Sequence, residues 1–159
     1  KWPIFSQTIL LLLMFVGACA GSTGGGIKVS RILIMIKSVK RELHTIVHPR
    51  ARMKIKMDDR MVESDTLRTV NVFMVCYLLI YGVSFLCISV DNFDITTNFT
   101  AIAATINNIG PGLGKVGPAG NFGSFSWFSK YVMMFDMLVG RLEIFPMMAL
   151  FLPATWRRR

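Results

Sequence analysis

The sequence predicts an all-α membrane protein that contains a glycine-broken transmembrane helix. Three observations support this fold class. First, 53% of the 159 residues are hydrophobic and the mean hydropathy is +0.52, with the apolar residues gathered into runs longer than a soluble core uses. Second, a cluster of glycines interrupts the longest of these runs. Third, the basic residues, which give a net charge of +9, collect beside the apolar runs.

The first hydrophobic block runs from Trp2 to Ile36 and is too long for one straight membrane-spanning helix. Its 35 residues would measure roughly 52 Å as a helix, against about 30 Å of hydrocarbon. The stretch GACAGSTGGGIK (Gly17–Lys28) contains five glycines, which form helices poorly because of their backbone entropy. We therefore expect two half-helices around a non-helical middle.

Two further hydrophobic blocks predict spanning helices. Val70–Val90 is a nearly uninterrupted apolar run of 21 residues, which fits a helix over 69–90. The third block predicts a helix over 127–156, with Trp127 and Trp156 as interfacial anchors at its two ends. This block carries four charged residues: Lys130, Asp136, Arg141 and Glu143.

The distribution of basic residues predicts the orientation in the membrane. Residues 28–68 hold eleven Lys or Arg against five Asp or Glu, and three arginines occupy 157–159. The positive-inside rule therefore places residues 37–68 and the basic tail in the cytoplasm. We expect membrane lipid around the chain and no nucleic-acid partner, because the basic residues lack an aromatic stacking platform.

A shorter apolar segment, Phe99–Ile106, lies between the second and third blocks. It is too short to cross a bilayer, and one of the polar residues 96–98 (Thr-Thr-Asn) could cap a helix there. We expect a re-entrant pore helix over 98–107 that runs directly into the stretch NNIGPGLG, residues 107–114. A helix, a re-entrant helix, a glycine-containing loop and a second helix form the layout of a pore loop.

The stretch 107–114 has the composition of an ion filter. A filter replaces the water shell of a cation with peptide oxygens, which requires glycines and excludes bulky side chains. Residues 108–112 match the order of the potassium-channel stretch T-V-G-Y-G: polar, β-branched, Gly, ring residue, Gly. The candidate ion-binding residues are Asn108, Ile109, Gly110 and Pro111. The alternative is a tight turn that only joins two helices.

Four parts of the sequence carry a family resemblance: GACAGSTGGGIKVSRIL, RELHTIVHPRA, NNIGPGLG, and GRLEIF followed by LFLPATWR. In this order they resemble the C-terminal third of the membrane subunits of bacterial Trk-type potassium uptake systems (the TrkH/TrkG family of the TrkH/KtrB superfamily). The resemblance covers essentially the whole chain. It implies helix–pore-loop–helix repeats of the potassium-channel-like type, four of them around one ion pathway, with this chain as a fragment.

The resemblance also implies how the chain is divided. Residues 1–40 would be the last, broken transmembrane helix of the third repeat, with an intramembrane gate loop at 17–28. Residues 41–67 would form a cytoplasmic linker that is mobile or contacts a partner. Residues 68–156 would be the complete fourth repeat, followed by the basic tail 157–159. Because only one of four filter segments is then present, the fragment is not expected to conduct by itself.

Further implications of the resemblance concern the surroundings of the chain. The transported ion would be K⁺, with no cofactor bound to this chain and a multi-pass location in the bacterial inner (plasma) membrane. The expected partners are a second copy in a homodimer and a cytosolic nucleotide-binding regulatory subunit of the TrkA type. The basic linker would be a docking surface for that regulatory subunit.

By resemblance, the glycine-rich loop lies below the filter and acts as a gate. The gate residues of the loop are then Gly21, Ser22, Thr23, Gly24, Gly25 and Gly26. Irregular backbone at membrane depth is tolerated only where it is buried in protein or faces water, and glycines let a gate move at low cost. The alternatives are a passive kink and a phosphate-binding loop. The latter does not fit, because Ile27 separates Gly26 from Lys28 and breaks the P-loop pattern.

Arg141 is expected near the middle of the membrane. It lies 14 residues after Trp127 and 15 before Trp156, about 21 Å from either along a helix. A guanidinium at that depth is costly unless it faces water or a partner. By resemblance it stands in the ion path beneath the filter, against the gate loop, as a barrier to cations. The alternative is a structural ion pair with Asp136 or Glu143, neither of which has a favourable helical spacing.

The sequence indicates a protein that is not an enzyme, because it contains no paired-carboxylate, Ser/His/Asp or Cys/His set. Its three cysteines lie in apolar runs without CxxC spacing, which argues against a disulfide framework or a zinc site. Two functions remain: the ion-conducting subunit of a potassium uptake system, and a membrane subunit that moves another solute or only serves as a scaffold. Either K⁺ or Na⁺ preference, and either passive or H⁺- or Na⁺-coupled flux (symport), is compatible with the sequence.

Overall fold

The computed structural model describes residues 3–19, 21–22, 24–48, 55–57, 60–142, 144 and 147. Within these residues the chain is mostly helical. The elements, in chain order, are α1 (Ile4–Met14), α2 (Val29–Val47), β1 (Lys56–Met57), β2 (Arg60–Met61), α3 (Ser64–Ile88), α4 (Ile95–Ile106) and α5 (Trp127–Leu142). Single 3-10 turns lie at Ser89–Asp91, Gly114–Val116 and Phe122–Ser124.

The helix α3 is the one described helix that is long and apolar enough to cross a membrane, by length and composition, when its 3-10 extension to Asp91 is included. Ser64–Asp91 has 28 residues, whereas Ile4–Met14 and Ile95–Ile106 are shorter apolar helices. The sequence predicts α5 as far as 156, but its described part ends at Leu142. Glu143, Trp156 and the tail 157–159 lie outside the described residues.

The described residues between α1 and α2 are not helical, and the two ends of this segment lie side by side. Val16 and Ile27 form a parallel bridge. The Gly17 N–H donates to the Ile27 oxygen at 2.8 Å, and the Val29 N–H donates to the Ala18 oxygen at 3.2 Å. These bonds close the glycine-rich stretch into a compact loop at the junction of the two helices.

Part of the predicted linker forms a small hairpin, which the expectation of a purely α-helical chain did not include. Lys56 pairs with Met61 and Met57 with Arg60, antiparallel. The preceding Ile55 is buried in a hydrophobic cluster with Ile34, Leu67 and Val70, which belong to α2 and α3. At Ile55 the linker is therefore packed against α2 and the start of α3.

The short helix α4 forms the centre of the fold. Nine of its twelve residues are buried, from Thr97 and Asn98 through the run Thr100–Ile106. It packs against α3 and α5, and its residues Ala101 and Ile102 belong to a core cluster with Ile88 and Met133. Because protein surrounds α4 on nearly every side, it is held inside the molecule.

The cap of α4 differs from the expectation. The sequence predicts a cap at one of the residues 96–98, but α4 begins at Ile95 and its N-cap is Asp94. The two carboxylate oxygens of Asp94 accept from the Thr97 backbone N–H at 2.9 Å and from the Thr97 hydroxyl at 2.7 Å. The capping carboxylate satisfies a free N–H of the first helical turn, and these bonds from Thr97 hold the pKa of Asp94 below its ordinary range.

Candidate functional site

The site begins where α4 ends, in a Schellman motif. Asn107 is the C-cap residue, and Asn108 follows with a left-handed φ of 53°. The Asn108 N–H donates to the Thr105 oxygen at 3.1 Å, and the Ile109 N–H donates to the Ala104 oxygen at 2.9 Å. This is the bonding pattern of a helix C-terminus closed by a left-handed residue, and Asn is the residue other than Gly that most readily adopts that conformation.

After the Schellman motif the chain turns back along the side of α4. Gly110 has a φ of 109°, a conformation that L side chains rarely adopt. Further along, the Leu113 N–H donates to the Thr100 hydroxyl oxygen at 2.9 Å, and the Lys115 N–H donates to the Thr97 hydroxyl oxygen at 3.2 Å. Two buried threonines of α4 thus position the returning chain, while Ile109, Gly110 and Pro111 remain exposed.

The helix α5 approaches the end of α4 closely at Gly140. A Cβ at Gly140 would collide with the carbonyl oxygen of Ile106 and would lie 2.9 Å from Nδ2 of Asn108. That same Nδ2 donates to the Met137 oxygen at 3.1 Å. The absence of a side chain at Gly140 therefore lets α5 pack directly against Ile106 and Asn108, at the start of the stretch 107–114.

The glycine-rich loop between α1 and α2 touches the same point from another side. A Cβ on Gly25 would lie 2.8 Å from the backbone oxygen of Asn107, and one on Gly26 would lie 2.8 Å from its Oδ1. Only residues without side chains fit against Asn107 in this arrangement. The structure therefore places Gly25 and Gly26, from the predicted gate, in contact with the first residue of the stretch 107–114.

The other described gate residues of the loop lie at its surface or pack within it. Gly21 and Ser22 are exposed, and the Ser22 hydroxyl oxygen accepts from the Gly24 N–H at 3.1 Å. Gly24 packs on Ala18 within the loop. Thr23 lies outside the described residues.

Open grooves lie on two sides of the stretch 107–114. One, of about 630 Å³, lies between Asn108–Gly110 and the α5 residues Trp127, Met133 and Met137. The other, of about 410 Å³, lies between Pro111–Gly112, Gly25 and the end of α1. The C-terminus of α4, which carries the partial negative charge of the helix dipole, leads directly into the stretch 107–114, which lines both grooves.

Arg141 occupies the last turn of α5, next to Gly140, and its side chain is exposed. Asp136, which was considered as an ion-pair partner of Arg141, is fully buried. One of its carboxylate oxygens accepts from the Ser84 hydroxyl at 2.7 Å. Within the described part of the chain, Arg141 therefore has no ion pair with Asp136. The second alternative partner, Glu143, lies outside the described residues.

Sequence reasoning missed three residues that build this site: Tyr77, Thr100 and Gly140. The Tyr77 hydroxyl donates to Oδ1 of Asn107 at 2.9 Å. Hydrophobic patterning could not find these contacts, because they join residues 13 to 34 positions apart in the chain. Composition gave only a weak signal, because α3 contains two tyrosines and α4 contains four threonines, and nothing in the sequence distinguishes the residue that contacts the site.

Among the described residues there is no group of three or more His, Cys, Asp or Glu side chains that could hold a metal. His44 and His48 face each other with ring centroids 5.0 Å apart.

Comparison with known proteins gives a consistent result. The family model TrkH, described as a cation transport protein, matches residues 1–157. The chain is 44% identical over 157 residues to the Trk system potassium uptake protein TrkH of Salmonella typhimurium. It is 38% identical over 157 residues to the Trk system potassium uptake protein TrkG of Escherichia coli K12. Each match covers 99% of this chain and 32% of the relative.

A solved structure shares the fold. The crystal structure of the potassium transporter TrkH from Vibrio parahaemolyticus superposes with a TM-score of 0.87 at 43% identity. The match covers 98% of this chain and 33% of that one. The chain therefore spans about a third of the length of the relatives that it matches.

Proposed function

The chain belongs to the TrkH family of cation transport proteins, and from this membership and the site geometry we propose that it supplies one filter segment and one gate to a K⁺ pathway. The family establishes a transport protein rather than an enzyme, and a membrane protein. The conducting unit would be the whole protein, of which the chain spans about a third. The observation that carries the proposal is the direct contact of the glycine-rich loop with the exposed stretch that follows α4.

The proposed filter uses peptide oxygens of Asn108, Ile109, Gly110 and Pro111. Ile109, Gly110 and Pro111 are exposed to the grooves beside the stretch. Their backbone oxygens are therefore accessible to a dehydrated cation. The Schellman motif at one end and the threonines of α4 at the other fix the loop. Peptide dipoles that are already fixed in place can replace the hydration water of an ion without moving. In this way a carbonyl filter lowers the free-energy cost of dehydrating the ion.

The proposed gate is the loop from Gly21 to Gly26 together with Arg141. Because Gly25 and Gly26 lie against Asn107, the loop would block the path directly at one end of the filter stretch. Displacement of the loop would open the path, and glycine lowers the barrier to that displacement. A glycine-broken transmembrane helix, formed by α1 and α2, would carry the loop.

Arg141 is proposed as an electrostatic barrier. It follows Gly140, which lines a narrow crevice with Gly24 and Gly26, so its backbone lies next to the proposed gate. A guanidinium close to a cation path raises the energy of an ion there, since charges interact strongly where water is scarce. Movement of the side chain out of the path would lower that barrier.

The assembly proposed for the whole protein follows the family. It comprises a homodimer in the bacterial inner membrane, with several spans per chain, and a cytosolic nucleotide-binding regulatory subunit of the TrkA type. The hairpin packed on α2 and α3 carries Lys56 on its exposed side and is a docking surface for that subunit. The competing function, a scaffold or a carrier of another solute, has no observation in its favour.

Substitution of Gly110 tests the proposed filter. In the full-length protein, Gly110→Ala should reduce K⁺ uptake at least tenfold and weaken discrimination against Na⁺, because alanine cannot adopt a φ of 109° without strain of about 1–3 kcal/mol. The measurement is rubidium and sodium uptake into vesicles containing the purified protein, or rescue of a transport-deficient strain.

The matched control is Gly82→Ala. Gly82 lies in the middle of α3 and is exposed, and a Cβ added there would have nothing within 4 Å, so alanine should leave uptake unchanged. Equal uptake by Gly110→Ala and wild type would contradict the filter proposal. Wild-type uptake of a different solute, with no rubidium uptake, would favour the competing function.

A further inference from the structure

We propose that Tyr77 is a positioning residue that couples the glycine-rich loop to the filter stretch through the side chain of Asn107. The proposal rests on the filter and gate described above and adds a residue of α3 to them. Tyr77 is not a ligand of the ion. It acts through Asn107, which contacts the filter, the loop and α3 together.

The side-chain amide of Asn107 is fixed at both ends. Its Oδ1 accepts from the Tyr77 hydroxyl at 2.9 Å, and its Nδ2 donates to the Ala103 oxygen at 2.9 Å. Both residues are buried, with Asn107 5% and Tyr77 3% exposed. A buried amide with both ends bonded has one favourable orientation, because rotation would leave polar groups unsatisfied.

The loop lies directly on this fixed amide. Gly26 packs against the same Oδ1 that accepts from Tyr77, and Gly25 packs against the backbone oxygen of Asn107. A Cβ on either glycine would lie 2.8 Å from the Asn107 oxygen that it faces. This approach is too close for a water molecule to lie between the two glycines and those oxygens.

Loss of the Tyr77 hydroxyl would therefore release the surface against which the loop closes. Oδ1 would lose its donor, and the amide would turn to find another one, with the glycines as its nearest neighbours. A gate that closes against a rotating side chain has a less stable closed state. The expected consequence is a larger open population and a higher basal flux, not a loss of transport.

Tyr81 provides a matched control on the same helix. It lies one turn from Tyr77, the two rings stack with centroids 6.4 Å apart, and its hydroxyl also donates within the protein, to the Phe99 oxygen at 2.8 Å. Phe99 lies about two turns before Asn107 in α4, and its ring packs on Phe15 at the end of α1. Tyr81→Phe therefore removes the same chemical group and one hydrogen bond without touching Asn107.

The test is rubidium flux per folded protein for the full-length Tyr77→Phe and Tyr81→Phe variants in vesicles. We expect basal flux at least threefold higher for Tyr77→Phe, with Tyr81→Phe equal to wild type. A second variant, Asn107→Leu, removes the amide at similar volume and should also raise flux. The double variant should show no more flux than the larger single effect, because both changes break one contact.

The possible results separate this inference from the function on which it rests. Absence of rubidium flux in the wild type would refute the proposed function itself. Wild-type flux with equal values for the Tyr77 and Tyr81 variants would overturn only the coupling role. Failure of both Tyr77→Phe and Asn107→Leu to yield folded protein, while Tyr81→Phe folds, would also overturn it, because the contact would then serve stability alone.

Discussion

Asn108 and Gly110, two residues apart, both have positive φ values, 53° and 109°. The sequence comparison with potassium channels treated Asn108 as a polar filter residue, and the structure adds that it closes α4 in a left-handed conformation. The glycines at 25, 26 and 140 matter for a different reason, since each allows a backbone to approach Ile106 or Asn107. At the scale of single residues, the site depends on where side chains are absent.

The charge of Arg141 gives the sharpest single-residue prediction. Replacement by alanine in the full-length protein should increase K⁺ flux severalfold, because it removes a fixed positive charge from the proposed path. Arg141→Lys keeps the charge and should stay close to wild type. The measurement is rubidium uptake normalised to folded protein. Unchanged or abolished flux in a well-folded Arg141→Ala protein would count against the barrier role.

Among the elements, α4 determines the site. It is short, buried on nearly every side, and capped at both ends, by Asp94 at the start and by the Schellman motif at the finish. The apolar stretch 99–106 predicted that a helix would form here. The sequence did not determine the first residue of α4, because four polar residues precede the stretch and only the geometry selects Asp94 as the cap.

The cap predicts a pH dependence of stability. Hydrogen bonds from Thr97 hold the pKa of Asp94 below its ordinary range. A lowered folded-state pKa contributes stability that is present above the unfolded pKa and is lost as the pH falls through the folded one. The melting temperature of wild type should therefore exceed that of Asp94→Ala at neutral pH, and the difference should shrink in acid.

Asp94→Asn is the control for the cap, since it retains a side-chain acceptor for the Thr97 N–H but cannot titrate. Its melting temperature should lie between those of wild type and Asp94→Ala and should vary less with pH. A difference between wild type and Asp94→Ala that stays constant from pH 7 to pH 3 would show that the carboxylate is not the stabilising group.

For the molecule as a whole, hydropathy and charge predicted the order of the helices but not their exact boundaries or the contacts between them. The helix α3 begins at Ser64, before the predicted 69, because its polar first turn carries no hydropathy signal. The hairpin at Lys56–Met61 was not predicted, since two-residue strands leave no periodicity. The contacts of Tyr77, Gly25 and Gly140 around residues 106 and 107 join distant parts of the chain, and one sequence cannot reveal such pairs.

The orientation of the whole chain is testable with single cysteines. In a full-length protein with Cys19, Cys76 and Cys87 replaced by serine, a cysteine at the exposed Ala119 should react with an impermeant maleimide in intact spheroplasts. One at Met61, exposed in the hairpin, should react only after permeabilisation, because the basic residues beside it are expected in the cytoplasm. The reverse pattern would invert the topology.

The proposed function depends above all on the peptide oxygens of residues 108–111 binding a dehydrated cation. Anomalous diffraction from crystals of the full-length protein soaked in rubidium would locate that cation. We expect anomalous density on a central axis, within coordination distance of these oxygens, that disappears in Gly110→Ala crystals. Rubidium density found only elsewhere, with these oxygens turned away from any continuous path, would show that the stretch is not a filter.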